Sequence, residues 1–162
     1  MEYTILDHAG FYGPLLTALI NIYNVWFRKP YLYAYIVGFL INTALNKMLK
    51  STIREPRPKN QIFINKNLEL NKNEEAYGMP SGHAQSVSFS IMYLYYFNNS
   101  YLFIISCSIG ILTIYQRYNF RRHTLTQLFV GSLIGIIFAN IVHNITKYYL
   151  DTQTKKKCNT NI

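Results

Sequence analysis

Thr124–Thr146, TLTQLFVGSLIGIIFANIVHNIT, runs without a single Lys, Arg, Asp or Glu. A helix crossing a bilayer needs about 20 predominantly apolar residues, with a range of about 17–25. This stretch meets that length, and it sets the class as an all-α membrane helix bundle. Gly131 and Gly135 within it form a small-xxx-small pair that lets a second helix approach closely.

Working outward, four more apolar segments precede it: about 12–27, 31–48, 82–97 and 101–115, with the last apolar segment extending over 123–150. The expected architecture is a polytopic bundle of about five transmembrane helices. Segments 82–97 and 101–115 are short for spanning and on length alone fit buried core helices. The turns Arg28-Lys29-Pro30 and Asn98-Asn99-Ser100 make antiparallel hairpins of their neighbours. Residues 1–150 read as one membrane domain with an active-site loop at 49–80, and 151–162 as a polar tail. The N-terminal 12 residues are either short of a further helix or pack at the membrane interface.

Composition agrees. Of 162 residues 50% are hydrophobic and 14% charged, against roughly 25% charged in soluble domains. Fifteen Tyr and ten Phe suit aromatic belts at bilayer interfaces. Mean hydropathy is near zero because the polar stretch Lys59–Tyr77 and the tail dilute it. The net charge of +9 resides at segment ends rather than along one polar face, which argues against nucleic acid and for lipid headgroups or phosphate as partners. Cys107 and Cys158 form no metal-site spacing.

Three groups of basic and His residues mark segment boundaries. They are Lys50…Arg57-Pro58, Pro80-Ser81-Gly82-His83, and Arg117…His123…Gln127. Alternating segment directions put all three at the same membrane face. Lys50, Arg57 and Arg117 supply permanent positive charge suited to a phosphate. Ser81 and Gly82 open a helix whose backbone N–H groups favour an anion. His83 and His123 are suited to divide nucleophile and general acid between them. No carboxylate cluster or metal-ligand set accompanies them, so the inferred chemistry is phosphoryl transfer with neither metal nor other cofactor. Arg121 and Arg122 read as interfacial anchors, and His8 and His143 as structural.

These residues resemble the type 2 phosphatidic acid phosphatase (PAP2) superfamily, whose motifs are K-x6-R-P, P-S-G-H and S-R-x5-H-x3-D. Spacing is kept over roughly 42–139, with Gln116 in place of the motif Ser and Gln127 in place of the motif Asp. Gln127 can fix the His123 tautomer but cannot stabilise an imidazolium by charge. In serine-protease triads a comparable Asp-to-amide change costs about 10⁴ in rate. The strings Ile-Arg-Glu-Pro-Arg-Pro, Tyr-Gly-Met-Pro-Ser-x-His and His-Thr-x-x-Gln look like the dolichyl diphosphate phosphatase branch, which also carries Gln here. Glu55 stands as a candidate for the missing carboxylate. The resemblance implies that His123 attacks phosphorus, that His83 protonates the leaving oxygen, and that Lys50, Arg57, Ser81, Gly82 and Arg117 hold the phosphate. The implied substrate is a polyprenyl (dolichyl) diphosphate. The alternatives are a broader lipid phosphatase acting on phosphatidic acid, or a silent protein that binds phosphorylated lipids. Arg28, Lys29 and Lys155–Lys157 lie at the opposite face, which the positive-inside rule makes cytoplasmic. With the dolichyl resemblance, that implies an endoplasmic reticulum membrane and a lumenal site.

Overall fold

The computed structural model describes residues 3–64 and 77–160. Most of the Lys59–Tyr77 loop, residues 65–76, lies outside the described residues. Among the described residues six helices follow one another: α1 (Ile5–Phe11), α2 (Gly13–Val25), α3 (Lys29–Ile53), α4 (Gly82–Tyr95), α5 (Ser100–Asn119) and α6 (Leu125–Thr160).

Their ends follow from local chemistry. A capping box starts α1, where the Thr4 N–H donates to Asp7 Oδ2 at 2.9 Å and Thr4 Oγ1 accepts from the Asp7 N–H. Prolines sit in the first turns of α2 and α3, where a missing N–H costs nothing. Arg54 ends α3 in the left-handed conformation, and its N–H closes on the Lys50 carbonyl at 3.1 Å. The α4–α5 hairpin turns through Asn98 at φ 54°, and the Asn99 side chain then caps α5 through the Leu102 N–H.

α4 is the centre of the bundle. It packs against α2, α3, α5 and α6, and Ala84, Val87, Phe89, Tyr93 and Leu94 are fully enclosed. Its 14 residues rise only about 21 Å at ~1.5 Å each. The second reading of this short segment, a buried core helix, is therefore the observed one. Both glycines of the last apolar segment lie at the α4–α6 contact. A Cβ on Gly131 would stand 2.5 Å from the Ser81 carbonyl oxygen, and one on Gly135 would stand 2.9 Å from the Phe89 nitrogen. The backbones meet because no side chain separates them.

The distribution of polarity is inverted relative to a soluble protein. Thr17, Asn21, Asn42, Gln85, Ser90, Ser106 and Thr113 are buried, whereas Leu19, Leu40, Ile104, Ile111, Phe129, Ile137 and Ile145 are exposed. Asn21, Asn42, Gln85 and Ser90 among them bridge helices. Asn21 Nδ2 donates to the Ser90 carbonyl at 3.0 Å, and the Tyr35 hydroxyl bonds Ser90 Oγ at 2.8 Å. A bundle bathed in lipid gains nothing from hiding apolar side chains from its solvent, so packing and hydrogen bonds hold it together. Among the described residues two helices, α3 and α6, are long and apolar enough to cross a membrane.

Two expectations are refined. The N-terminal residues form α1, which packs along α5 at the end of the bundle where α3 finishes. The residues read as a polar tail continue α6 as helix to Thr160.

Candidate active site

The end of α3, the start of α4 and the α5–α6 turn meet at one end of the bundle. All three sequence clusters lie there. Lys50 is in the last turn of α3. Beyond it the chain is clamped to the segment preceding α4. The Gly78 N–H donates to the Glu55 carbonyl at 2.7 Å, and Pro56 pairs with Tyr77 in an isolated antiparallel bridge. Arg57 reaches the third cluster, its guanidinium 3.5 Å from the Arg122 carbonyl oxygen.

The Pro80–His83 turn, which follows a cis Met79–Pro80 peptide, is held from beneath by buried amides. Asn46 Nδ2 donates to the Pro80 carbonyl at 3.2 Å and to Gln85 Oε1 at 2.7 Å. Gln85 Nε2 in turn bonds the Asn42 carbonyl at 2.9 Å and Asn42 Oδ1 at 2.8 Å. The Ser81 N–H donates to the Gln127 carbonyl at 3.0 Å. That bond corrects the expectation that the Ser81 backbone N–H faces a phosphate. Ser81 Oγ accepts from the Ala84 N–H as a helix cap. A Cβ on Gly82 would stand 3.0 Å from Asn46 Oδ1, so the glycine also lets the turn sit on its support.

Arg117, in the last turn of α5, is buried and places Nη2 2.5 Å from His83 Nε2. Arg117 can only donate, so Nε2 accepts in that contact, whereas a carbonyl oxygen beside the same nitrogen can only accept. The Phe11 carbonyl of α1 also faces His83 Nε2, at 3.1 Å, and the Phe11 ring lies 5.0 Å beneath the Arg117 guanidinium. In the α5–α6 turn, the N–H groups of Arg122 and His123 both bond the Arg117 carbonyl, at 3.0 and 3.3 Å. This fixes His123, only 4% exposed, beside the arginine.

His123 lies outside the helices. Its pKa is held well below the usual histidine value, first by burial and then by the charges of Arg57, Lys50 and Arg117, against which the Gln127 hydrogen bond works. The neutral imidazole is thereby favoured. His83 lies within electrostatic reach of Arg117, His123 and Lys50. The side chains of Lys50, Arg57, His83, Arg117, His123 and Gln127 thus converge, with Ser81 and Gly82 in the turn that opens α4 beside them.

Gln127 is fully buried at its core. Gln127 Oε1 accepts from His123 Nδ1 at 3.2 Å and from the Thr124 N–H at 3.2 Å. Gln127 Nε2 donates to Glu55 Oε1 at 2.8 Å and to the Pro56 carbonyl at 3.0 Å. Gln116, the other departure from the motif, is buried against Gly10 of α1.

An open cavity of about 660 Å³, lined by Lys59, Tyr118, Arg121, His123, Thr124 and Leu125 among others, gives access to His123. Arg122 is not an interfacial anchor as expected. It is 3% exposed and lies 4.2 Å over the Phe63 ring, because the tight turn after Arg117 directs it under the loop. His143 is structural as read, stacked on Tyr96 with ring centroids 3.7 Å apart.

Sequence reasoning missed the supports Asn42, Asn46 and Gln85, and Phe11. The three amides carried a signal, being polar residues inside apolar segments. Phe11 carried none.

Comparisons with known proteins bear on this arrangement. Residues 31–151 match the model of the PAP2 superfamily. The Dolichyldiphosphatase 1 of Dictyostelium discoideum is 31% identical over 152 residues, covering 83% of this chain and 61% of that protein. The chloroplastic Lipid phosphate phosphatase epsilon 1 of Arabidopsis thaliana is 30% identical over 64% of this chain and 36% of its own length. The Dolichyldiphosphatase of Saccharomyces cerevisiae is 26% identical over 86% of this chain and 64% of that protein. The chain therefore spans less than two thirds of each curated relative. Among solved structures, the transmembrane PAP2 type phosphatidylglycerolphosphate phosphatase from Bacillus subtilis superposes with a TM-score of 0.66 at 21% identity, over 88% of this chain and 74% of that one. Ordered motifs, their convergence at one end of a lipid-facing bundle, and a family match over most of the chain agree: this chain belongs to the PAP2 superfamily.

Proposed function

We propose that the chain is a membrane phosphatase that removes the terminal phosphate of a lipid-linked diphosphate, with polyprenyl (dolichyl) diphosphate as substrate. The observation that carries this reading is the pair His123 and His83 set among Lys50, Arg57 and Arg117, with one imidazole fixed by Gln127 and the other by Arg117.

The chemistry follows from that geometry. With its Nδ1 proton on Gln127, His123 presents the Nε2 lone pair to the terminal phosphorus. Attack forms the N–P bond, and the bond from phosphorus to the bridging oxygen breaks. Lys50, Arg57, Arg117 and the N–H groups of Gly82 and His83 neutralise the charge on the transferring phosphoryl group. A bound diphosphate draws the Arg117 guanidinium toward itself, and its negative charge lets His83 take a proton from solvent at Nε2, so that the ring enters the reaction as imidazolium. His83 gives that proton to the departing lipid phosphate. Water, deprotonated by His83, then attacks the phosphohistidine, releasing inorganic phosphate and restoring both imidazoles.

A cleft of about 410 Å³ between α4, α5 and α6, lined by Ile91, Met92, Tyr95, Phe103 and Ile136, supports a lipid rather than a soluble phosphate ester. The dolichyldiphosphatase relatives favour the polyprenyl substrate. The plant lipid phosphate phosphatase favours a broader range that includes phosphatidic acid. Arg28 and Lys29 begin α3 at the far end from the site, which supports a cytosolic far face and a lumenal site in the endoplasmic reticulum.

Phosphate release from dolichyl diphosphate and from phosphatidic acid, measured in detergent with EDTA, tests this. Release that persists in EDTA and vanishes in His123→Ala is expected, with the substrate ratio choosing the branch. Folded wild-type protein releasing no more than His123→Ala on either lipid would transfer the case to a silent lipid-phosphate binder.

A further inference from the structure

Gln127 stands where most of the family has a carboxylate, yet a carboxylate is one hydrogen bond away. We infer that Glu55 is a positioning residue for His123, acting through the Gln127 side-chain amide as the remote charge of a His123–Gln127–Glu55 relay. The inference deepens the proposed function and rests on His123 being its nucleophile.

The orientation of the amide is determined by its neighbours. The Thr124 N–H is a donor under all conditions, and the Pro56 carbonyl is always an acceptor. The first lies 3.2 Å from Gln127 Oε1 and the second 3.0 Å from Gln127 Nε2. Reversing the amide would set donor against donor at Thr124 and acceptor against acceptor at both Pro56 and Glu55. Oε1 therefore faces His123, the imidazole proton is on Nδ1, and Nε2 carries the lone pair.

Glu55 adds what the amide lacks. Its carboxylate accepts from Gln127 Nε2 at 2.8 Å, and a charged acceptor on one end of an amide makes its oxygen a stronger acceptor at the other. As phosphoryl transfer puts positive charge on the ring, the Glu55 charge opposes that of the cations around it. Those cations are Lys50 from α3, Arg57 from the loop and Arg117 from α5, and His83 from α4 is the other titratable group facing the ring. Glu55 is itself fixed, since its carbonyl accepts from the Gly78 N–H at 2.7 Å and Pro56 pairs with Tyr77.

Glu55→Gln is the informative variant, because the new amide still accepts from Gln127 but carries no charge. A purely structural role survives that change and a charge role does not. Two readouts on the purified full chain decide. Turnover on the lipid substrate should show kcat down about 10–100-fold, the usual cost of losing a residue behind a ligand or catalytic group, with KM unchanged. Ring-nitrogen NMR of His123 should show the Nδ1–H tautomer in wild type, with its titration moved to lower pH in Glu55→Gln. Glu55→Asp, which keeps the charge, should retain most of the turnover. Wild-type kcat in Glu55→Gln, or an unmoved His123 titration, would overturn the relay. If wild type releases no phosphate while the titration still moves, the relay stands and the phosphatase reading fails.

Discussion

Replacing Gly78 by Ala perturbs the imidazole of His123 without touching it. Gly78 has no positive φ, so its backbone accepts Ala, and the consequence is steric. The new Cβ would stand 2.6 Å from both Cδ and Nε2 of Gln127, and closer still to Oε1. Ordinary carbon contacts lie at about 3.5–4.0 Å, so the amide must retreat by roughly 1 Å. It is the mobile partner, being the far end of a side chain, whereas residue 78 is pinned through its N–H to Glu55. Retreat strips the Thr124 and His123 donors or the Glu55 and Pro56 acceptors of their partner. Leaving one such buried group unsatisfied costs about 1–3 kcal/mol of stability, an amount a helical bundle survives. The catalytic cost is larger, because a misplacement of about 1 Å costs on the order of 10² in rate. Phosphate release in detergent, below the unfolding temperature of both proteins, should show kcat down about 10²-fold and KM nearly unchanged, since the Lys50, Arg57 and Arg117 clamp is undisturbed. Thermal unfolding monitored by circular dichroism should confirm a folded variant. Wild-type kcat in folded Gly78→Ala would refute the argument that the Gln127 amide governs His123.

Gly135→Ala should act on the fold instead. Its Cβ would meet backbone of α4, 2.9 Å from the Phe89 nitrogen, and backbone cannot rotate aside. A loss of about 1–3 kcal/mol or more, as for overpacked cores, should appear as a lowered unfolding temperature in detergent. The pH dependence follows from His123, whose pKa is depressed from 6.5 by burial and three cations. The neutral nucleophile persists below pH 6.5, so kcat/KM should hold through that value and fall only on further acidification. Its stability contribution is complete above 6.5 and declines as pH drops from there toward the folded pKa, because the unfolded chain takes the proton first. An acidic limb of activity at or above 6.5 would contradict the assignment.

Much of the site was legible because its chemistry is written as ordered short motifs. Lys50, Arg57, His83, Arg117 and His123 each sit at the end of an apolar segment, and alternating segment direction alone put them at one face. The Gly131–Gly135 spacing likewise announced a close helix contact. Sequence could not tell that α4, only 14 residues long, is the centre, because a run of apolar residues looks the same facing protein or lipid. It could not tell that Arg122 turns under Phe63 while Arg121 lines the cavity. Adjacent arginines in a tight turn point different ways for reasons of backbone geometry.

The sequence by itself determined a lipid-facing helical bundle, the family, and the cationic pocket with two imidazoles, since each depends on residue type and spacing. Only the tertiary structure decided that α1 closes over the pocket with the Phe11 carbonyl on His83, that buried Asn42, Asn46 and Gln85 carry the Pro80–His83 turn, and that Glu55 reaches Gln127 from 72 residues away. The physical reason is that hydrogen bonds between distant segments depend on orientation at the scale of an ångström. Periodicity and motif spacing record which residues are available, and the packing of the helices sets which of them meet.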